Sequence, residues 1–338
     1  MLPVTAPKLG HPASIRDVAR LAGVSRQTVS RVINHHPSLR PETRERVQAV
    51  IDDLNYRPNP IARALGGSRS RTIGVLASQR TQWGPSAAIQ GVELAARDAG
   101  YLVNTTNLAS TEPAVIRAAL ALQVEHKVEG LVIIAPQTRT LNQIDELALD
   151  IPYVLLHSRA QGDEHELFVD QLAGARAATR HLVGLGHRDI FHLAGPQEWI
   201  EAEARMQGFL TEMVDADLPV RPPILGDWTP GFGYHAGREL ARFRDFTAVF
   251  TANDQMALGL VHALRDAGLD VPGDVSVVGF DDMPEAAHFW PPLTTVRQDF
   301  EELGRRCVAR LLGGQEGEEP APLEPQLVVR GSTAPPRW

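Results

Sequence analysis

Arg26, Gln27 and Arg31 fall on one outward-facing side, near the N-terminal end, of the helix expected over Arg26–Asn34. These side-chain types read base edges. An arginine fork pairs with O6 and N7 of guanine, and a glutamine amide pairs with N6 and N7 of adenine. No comparable set points to covalent chemistry. There is no G-x-S-x-G, no phosphate-cradling P-loop and no Cys/His metal spacing, and Gly184-Leu-Gly186 is not a dinucleotide fingerprint after a strand. The twelve histidines are scattered, and His35-His36 falls in a loop. We expect no enzyme, no metal and no cofactor.

The elements that must hold the three readers are legible. Ser14 is suited to cap a helix over Ile15–Ala22, with Asp17 in its first turn, and Gly23 ends it. Ser25 caps the next helix. Val18, Ala19, Val24, Val29 and Val32 pack the two together. This is the helix-turn-helix layout, whose second helix enters the major groove by its N-terminal end. Pro41 starts a third helix running to about Leu54, with Val47, Val50, Ile51 and Leu54 at helical spacing. Pro60 to Leu65 holds at most two helical turns, which do not persist alone in water and need a partner surface.

From Thr72 onward, short apolar runs alternate with amphipathic helices. Strands are expected at 73–77, 101–104, 131–134, 153–156, 190–193, 248–251 and 275–278, with helices such as 87–99 and 254–267 between them. Continuous apolar strands flanked by helices mean parallel sheets covered on both faces. Two such sets imply two doubly wound subdomains with a ligand cleft between them, outside the carboxyl ends of the strands. Charge supports the same division. The first 72 residues carry twelve Lys and Arg against five Asp and Glu, whereas the remainder carries 21 against 36. A basic head on an acidic body is how a DNA-reading module attached to another function is laid out. The longest apolar runs are strand-sized, no signal peptide is evident, and Cys307 is the sole cysteine. Those features fit a cytoplasmic protein with no membrane partner.

The run from Ile15 to Leu65 closely resembles the headpiece of the lac repressor family. It carries Val-Ser-Arg-Gln-Thr-Val-Ser-Arg-Val32, Thr-Arg-Glu-Arg-Val47 and Leu-Asn-Tyr-Arg-Pro-Asn59. The likeness continues through His-Leu-Val-Gly-Leu-Gly-His187, Ala-Asn-Asp-Gln-Met-Ala-Leu-Gly259, Ser-Val-Val-Gly-Phe-Asp-Asp282 and Pro-Pro-Leu-Thr-Thr-Val-Arg-Gln-Asp-Phe300. The resemblance implies an α/β fold: a three-helix helix-turn-helix headpiece plus a two-subdomain, periplasmic-binding-protein-like core with doubly wound parallel sheets. The expected boundaries are 13–57 for the headpiece, 58–69 for a hinge helix and linker, and 70–338 for the core. Within the core, 70–165 and 298–325 form the N-subdomain, and 166–297 and 326–338 the C-subdomain.

The resemblance also implies the contacts. Operator DNA is met by Ser14 and Ile15, by Ser25, Arg26, Gln27, Thr28, Ser30, Arg31 and Asn34 around the second helix, and by Thr43 and Tyr56. The hinge adds Asn59, Ala62 and Leu65, the last a leucine that wedges into the minor groove when paired hinges fold on the operator. Arg205, Asn253, Asp281 and Trp228 fall where the family contacts its small-molecule effector, with Phe300 on the cleft wall. An arginine fork and a carboxylate each engage neighbouring hydroxyls, and an indole covers the apolar face of a sugar ring. Trp83 and Pro85, after the first strand, are placed to line a second subsite. His157 stands where the lac repressor has an aspartate, and Ile134 replaces an asparagine, so that subsite is expected to be less polar than in a galactoside sensor. Arg205 is also open to a surface pairing with Glu201 or Glu203, and Asp254 to a helix-capping role. The expected partners are a palindromic operator, a sugar effector and a second copy of the chain. No heptad-bearing tail is evident, so a dimer is expected and not a tetramer. The alternative is a regulator of the same fold that takes a purine or phosphorylated metabolite as corepressor.

Overall fold

A computed structural model of the chain describes residues 13–33, 39–56, 70–78, 82–145, 149–156, 165–313 and 321–337. Its contacts divide the chain into two units, 1–70 and 71–338. The expected hinge helix with Asn59, Ala62 and Leu65, together with Asn34 and His157, lies outside the described residues.

In the first unit, α1 (Ile15–Ala22), α2 (Arg26–Ile33) and α3 (Pro41–Asp53) enclose Val18, Ala19, Ala22, Val29, Val32 and Val47. Local chemistry sets each boundary. The Ser14 hydroxyl accepts from the Asp17 amide while Asp17 answers the Ser14 amide at 3.1 Å, a reciprocal capping box. Such a cap contributes about 1 kcal/mol. Gly23 takes φ 64°, which a side-chain-bearing residue adopts only with strain, and so turns the chain between the helices. The Ser25 hydroxyl accepts from the Thr28 amide at 3.1 Å and starts α2. Arg46 Nε donates to the Ala22 carbonyl at 3.1 Å, tying α3 to the end of α1.

The second unit has two sheets. The first runs β2 (Leu102–Leu108), β1 (Thr72–Ser78), β3 (Gly130–Ile134), β4 (Tyr153–Leu155), all parallel. Alternate residues of these strands face opposite ways. Ile73, Val75, Val132 and Ile134 meet α4 (Trp83–Asp98), while Leu76, Leu131 and Ile133 meet α5 (Pro113–Glu125) and α6 (Thr138–Asp145). Both faces are therefore covered, as continuous apolar strands require.

The second sheet runs β10 (Gln326–Val328), β9 (Thr294–Arg297), β8 (Ser276–Asp281), β7 (Ala248–Thr251), β5 (Ile190–Ala194), β6 (Ile224–Leu225). Only the β9–β10 pair is antiparallel. Phe250, Val278 and Phe280 pack on α7 (Gln171–Gly184) and α8 (Ile200–Asp215). Val249 and Val277 pack on α9 (Pro230–Leu240) and α10 (Asp254–Asp266).

Helix α11 (Phe300–Leu311) follows β9 yet packs against α4 of the other sheet's layer. The chain thus passes between the two sheets three times: after β4, after β9 and before β10. The α4–α11 contact is very close. A Cβ on Gly91 would stand 2.1 Å from the Phe300 carbonyl oxygen, so only glycine fits. One expectation needs correction. Helix α4 begins at Trp83 and not near residue 87, so Trp83-Gly84-Pro85 form its first turn. Proline is tolerated there because a first-turn amide has no intrahelical partner.

Candidate functional site

On the headpiece, Arg26, Gln27 and Arg31 are exposed, while Val29 and Val32 of the same helix are buried. The helical period alone produces this separation. Ser25 is exposed, Thr28, Ser30, Thr43 and Ser14 are half-buried, and Ile15 and Tyr56 rest partly on the headpiece core. The three base-reading types share the outer face of α2, but only Arg26 and Gln27 stand in its first turn, at the positive-dipole end. Arg31 falls in the last turn and not near the N-terminal end as expected, because the helix is only eight residues long.

The second site is a partly open cleft lined by apolar and aromatic side chains with a few convergent polar groups, the make-up of a small-molecule site. Trp83, Pro85 and Ala88 reach it from α4, Ile134 and Leu156 from the ends of strands, and Phe300 and Leu303 from α11. Arg205 enters from α8, Asp281 from the end of β8, Asn253 from the start of α10, and Trp228 from the loop before α9. All seven described effector residues expected from the sequence line this one space. His157 lies outside the described residues. Gln171, Gln298, Glu201 and Trp199 also line it and were not anticipated.

Arg205 is not a solvated helix residue. It is 5 % exposed and its partner is Asp281, 3.3 Å away on another element. Its Nε donates to Gln171 Oε1 at 2.9 Å, and one terminal nitrogen donates to the Ala252 carbonyl. The guanidinium lies 3.9 Å over the Phe280 ring centroid, a cation–π contact. Of five N–H groups, these contacts engage three, which among the described contacts leaves one on each terminal nitrogen to meet a ligand. Asp281 receives both Arg205 and Gln298 on Oδ1, which leaves Oδ2 to accept from a ligand among the described contacts. Burial pushes the Asp281 carboxyl up to about 6, against the pull of Arg205 and Gln298. Burial likewise lowers Arg205, against Asp281. At neutral pH the pair is charged and poorly hydrated, ready to engage hydroxyls by charge-assisted bonds.

Asn253 caps α10, its Oδ1 accepting from the Met256 amide at 2.9 Å, while its Nδ2 donates to the Trp228 carbonyl at 3.0 Å. The cap is thus Asn253 and not Asp254. Asp254 turns inward, where Thr295 Oγ1 stands 2.6 Å from Oδ1 and the Met283 amide donates to Oδ2 at 2.9 Å. Burial, and then the Asp281 charge, hold its carboxyl well above the usual range. A Cβ at Gly279 would lie 2.1 Å from Asp254 Oδ1, so that glycine makes room for the carboxyl.

Trp228 is 5 % exposed, packs on Gly195 and meets Trp199 edge-on at 5.4 Å. The indole nitrogens of Trp228 and Trp83 are buried with no hydrogen-bond partner among the described residues. A buried unpaired donor costs about 1–3 kcal/mol, so both favour a bound acceptor. Trp228 (φ 72°) and Asp281 (φ 109°) hold left-handed backbone that side-chain-bearing residues avoid. Strain of this kind concentrates at binding sites.

Residues 14–59 match the family described as bacterial regulatory proteins, lacI family, and residues 179–333 match the periplasmic binding protein-like domain. The lactose operon repressor of Escherichia coli K12 is 34% identical over 313 residues, covering 91% of this chain and 86% of that one. The HTH-type transcriptional repressor PurR of Vibrio parahaemolyticus is 34% identical over 336 residues, covering 95% and 98%. Among solved structures, a lac repressor dimer bound to operator and the anti-inducer ONPF superposes with TM-score 0.87 at 33% identity, covering 96% of this chain and all of that one. A complex of the transcriptional regulator CelR with cellobiose superposes with TM-score 0.67 at 32% identity, covering 95% and 99%. With a helix-turn-helix headpiece, two parallel sheets around a cleft and relatives matched over nearly their whole length, the chain belongs to the lac repressor family of DNA-binding transcriptional repressors.

Proposed function

We propose that this repressor binds a palindromic operator as a homodimer and is released by a sugar inducer, a β-glycoside or β-linked disaccharide. The observation that carries the sugar reading is the buried Arg205–Asp281 pair beside the Trp228 indole. Neighbouring hydroxyls suit the fork and the carboxylate, and the flat ring suits the apolar face of a pyranose. On this reading the cleft binds and does no catalysis, and the support is that the relatives it resembles are named as repressors. Arg26, Gln27 and Arg31 read bases, and two headpieces related by a two-fold axis meet half-sites about one helical turn apart. The working boundaries are 13–57 for DNA reading, 58–69 for the hinge and 70–338 for the core, with 298–325 returning to the N-subdomain. Among the described residues no helix is long and apolar enough to cross a membrane, and we place the protein in the cytoplasm.

The purine-corepressor reading has a specific support, the repressors named PurR among its relatives. A thermal-shift screen of the full chain against mono- and disaccharides and purine bases, paired with operator binding, separates the two. Sugar stabilisation with weakened operator binding upholds the inducer reading. Purine stabilisation with tightened operator binding replaces it.

A further inference from the structure

Four polar side chains at the floor of the cleft form a closed hydrogen-bonded ring. Arg205 Nε donates to Gln171 Oε1 at 2.9 Å, and Gln171 Nε2 donates to Gln298 Oε1 at 2.7 Å. Gln298 Nε2 donates to Asp281 Oδ1 at 2.7 Å, and that oxygen stands 3.3 Å from Arg205 NH2. All four residues are buried. The ring has one polarity. It runs from a cation that only donates, through two amides that each accept once and donate once, to a carboxylate that only accepts. Flipping either amide would set donor against donor and acceptor against acceptor, so the two charges dictate both glutamine orientations.

The ring's position gives it a second property. Gln171 opens α7, just after the chain has crossed from the first sheet. Gln298 follows β9, where the chain crosses back toward α11, whose cap is the neighbouring Asp299. Asp282, adjacent in sequence to Asp281, receives Arg297 Nε at 2.6 Å and Arg330 NH2 at 2.6 Å, fastening the residue before Gln298. Two of the three crossover segments therefore contribute a side chain to the network that holds the cleft's charged pair.

We propose that Gln171 and Gln298 are positioning residues that aim Arg205 and Asp281 at the effector and transmit occupancy of the cleft to the crossover segments. The proposal rests on the effector reading of the cleft. A ligand that engages Arg205 or Asp281 changes how strongly each holds its ring neighbour, and that differential interaction is what a coupled transition requires.

The test uses the full chain with Gln171→Met and Gln298→Met, which keep length and remove the amide. Operator affinity is measured without sugar and with saturating cellobiose or lactose, and the ratio of the two is the coupling. In the wild type the ratio is expected to be tenfold or more. In Gln171→Met the sugar binds about tenfold more weakly, and at saturation the ratio falls below threefold. A purely structural role would lower the melting temperature yet leave the ratio at saturation unchanged, and that result overturns the proposal. Sugar that binds the wild type without altering operator affinity also overturns it. The ring itself is tested without ligand. The double variant should melt at nearly the temperature of the less stable single variant, whereas additive losses refute the ring. If neither sugar binds the wild type, the sugar reading fails, and the variant cycle still decides whether the ring exists.

Discussion

Gly91→Ala probes the contact that carries Phe300 into the cleft. The added methyl would lie 2.1 Å from the Phe300 carbonyl oxygen and 3.0 Å from its carbon, against 3.4 Å or more for ordinary contact. The obstruction is backbone, so no side chain can swing aside, and α11 must retreat from α4 by roughly 1.3 Å, the difference between 3.4 and 2.1 Å. Overpacking of this kind costs about 1–3 kcal/mol, here toward the upper end. Alanine's helix propensity offsets up to about 1 kcal/mol, leaving a net loss of about 2 kcal/mol. For a unit of this size that lowers the melting temperature by about 4–8 °C. All five tryptophans lie beyond residue 82, so tryptophan fluorescence follows the 71–338 unit without interference from the headpiece. Gly184→Ala, at the end of α7 with nothing within 4 Å of the added atom, is the control and should melt at or slightly above the wild-type temperature. Displacing Phe300 should also weaken effector binding while operator binding persists. A Gly91→Ala protein that melts within a degree of wild type would refute the close α4–α11 packing.

Further outcomes follow from the two sites. Arg31→Ala should cost about 1–3 kcal/mol in operator binding and relax preference at one base pair per half-site, whereas Arg44→Ala on α3 should weaken all sequences alike; equal, unselective losses in a binding-site selection would remove Arg31 from base reading. Asp281→Ala removes up to two charge-assisted bonds to the effector at about 1.5–3 kcal/mol each, so sugar titration should show a tenfold or larger loss and reporter expression should stay repressed in sugar. Loss of operator binding by that variant while folded would instead place Asp281 in an interface. Sugar affinity should fall about tenfold between pH 7 and pH 5 as the Asp281 carboxylate, pushed up to about 6, takes its proton; a flat profile would show that its charge is not used. For stability the sign is opposite. A raised carboxyl binds its proton more tightly when folded, so its contribution is present below about pH 4 and lost as pH rises through about 6.

The secondary elements were legible because their signals are local. Ser14 and Asp17 are three residues apart, Gly23 needs only its own backbone angle, and the valines of α1 and α2 recur at the helical period. The parallel sheets were equally plain, since apolar runs such as Val75–Ala77 and Leu131–Ile134 leave no polar face for water. The residues of the effector cleft came from motif resemblance, and the structure brings all of them it describes to one space. The surroundings of those residues were not legible. Arg205 sits among glutamates on its own helix, and only the approach of β8 makes Asp281 its partner and buries it. Gln171 reads as an ordinary first-turn residue, yet it bonds Gln298, 127 positions away. Asp254 had the sequence of a helix cap and the role of a buried bridge to β9. In each case the deciding contact joins segments distant in sequence that meet only when the second sheet is assembled and its helices pack on it. Capping, periodicity and charge act over a few residues, whereas burial and the partner of a buried charge are set by whatever the fold places above it.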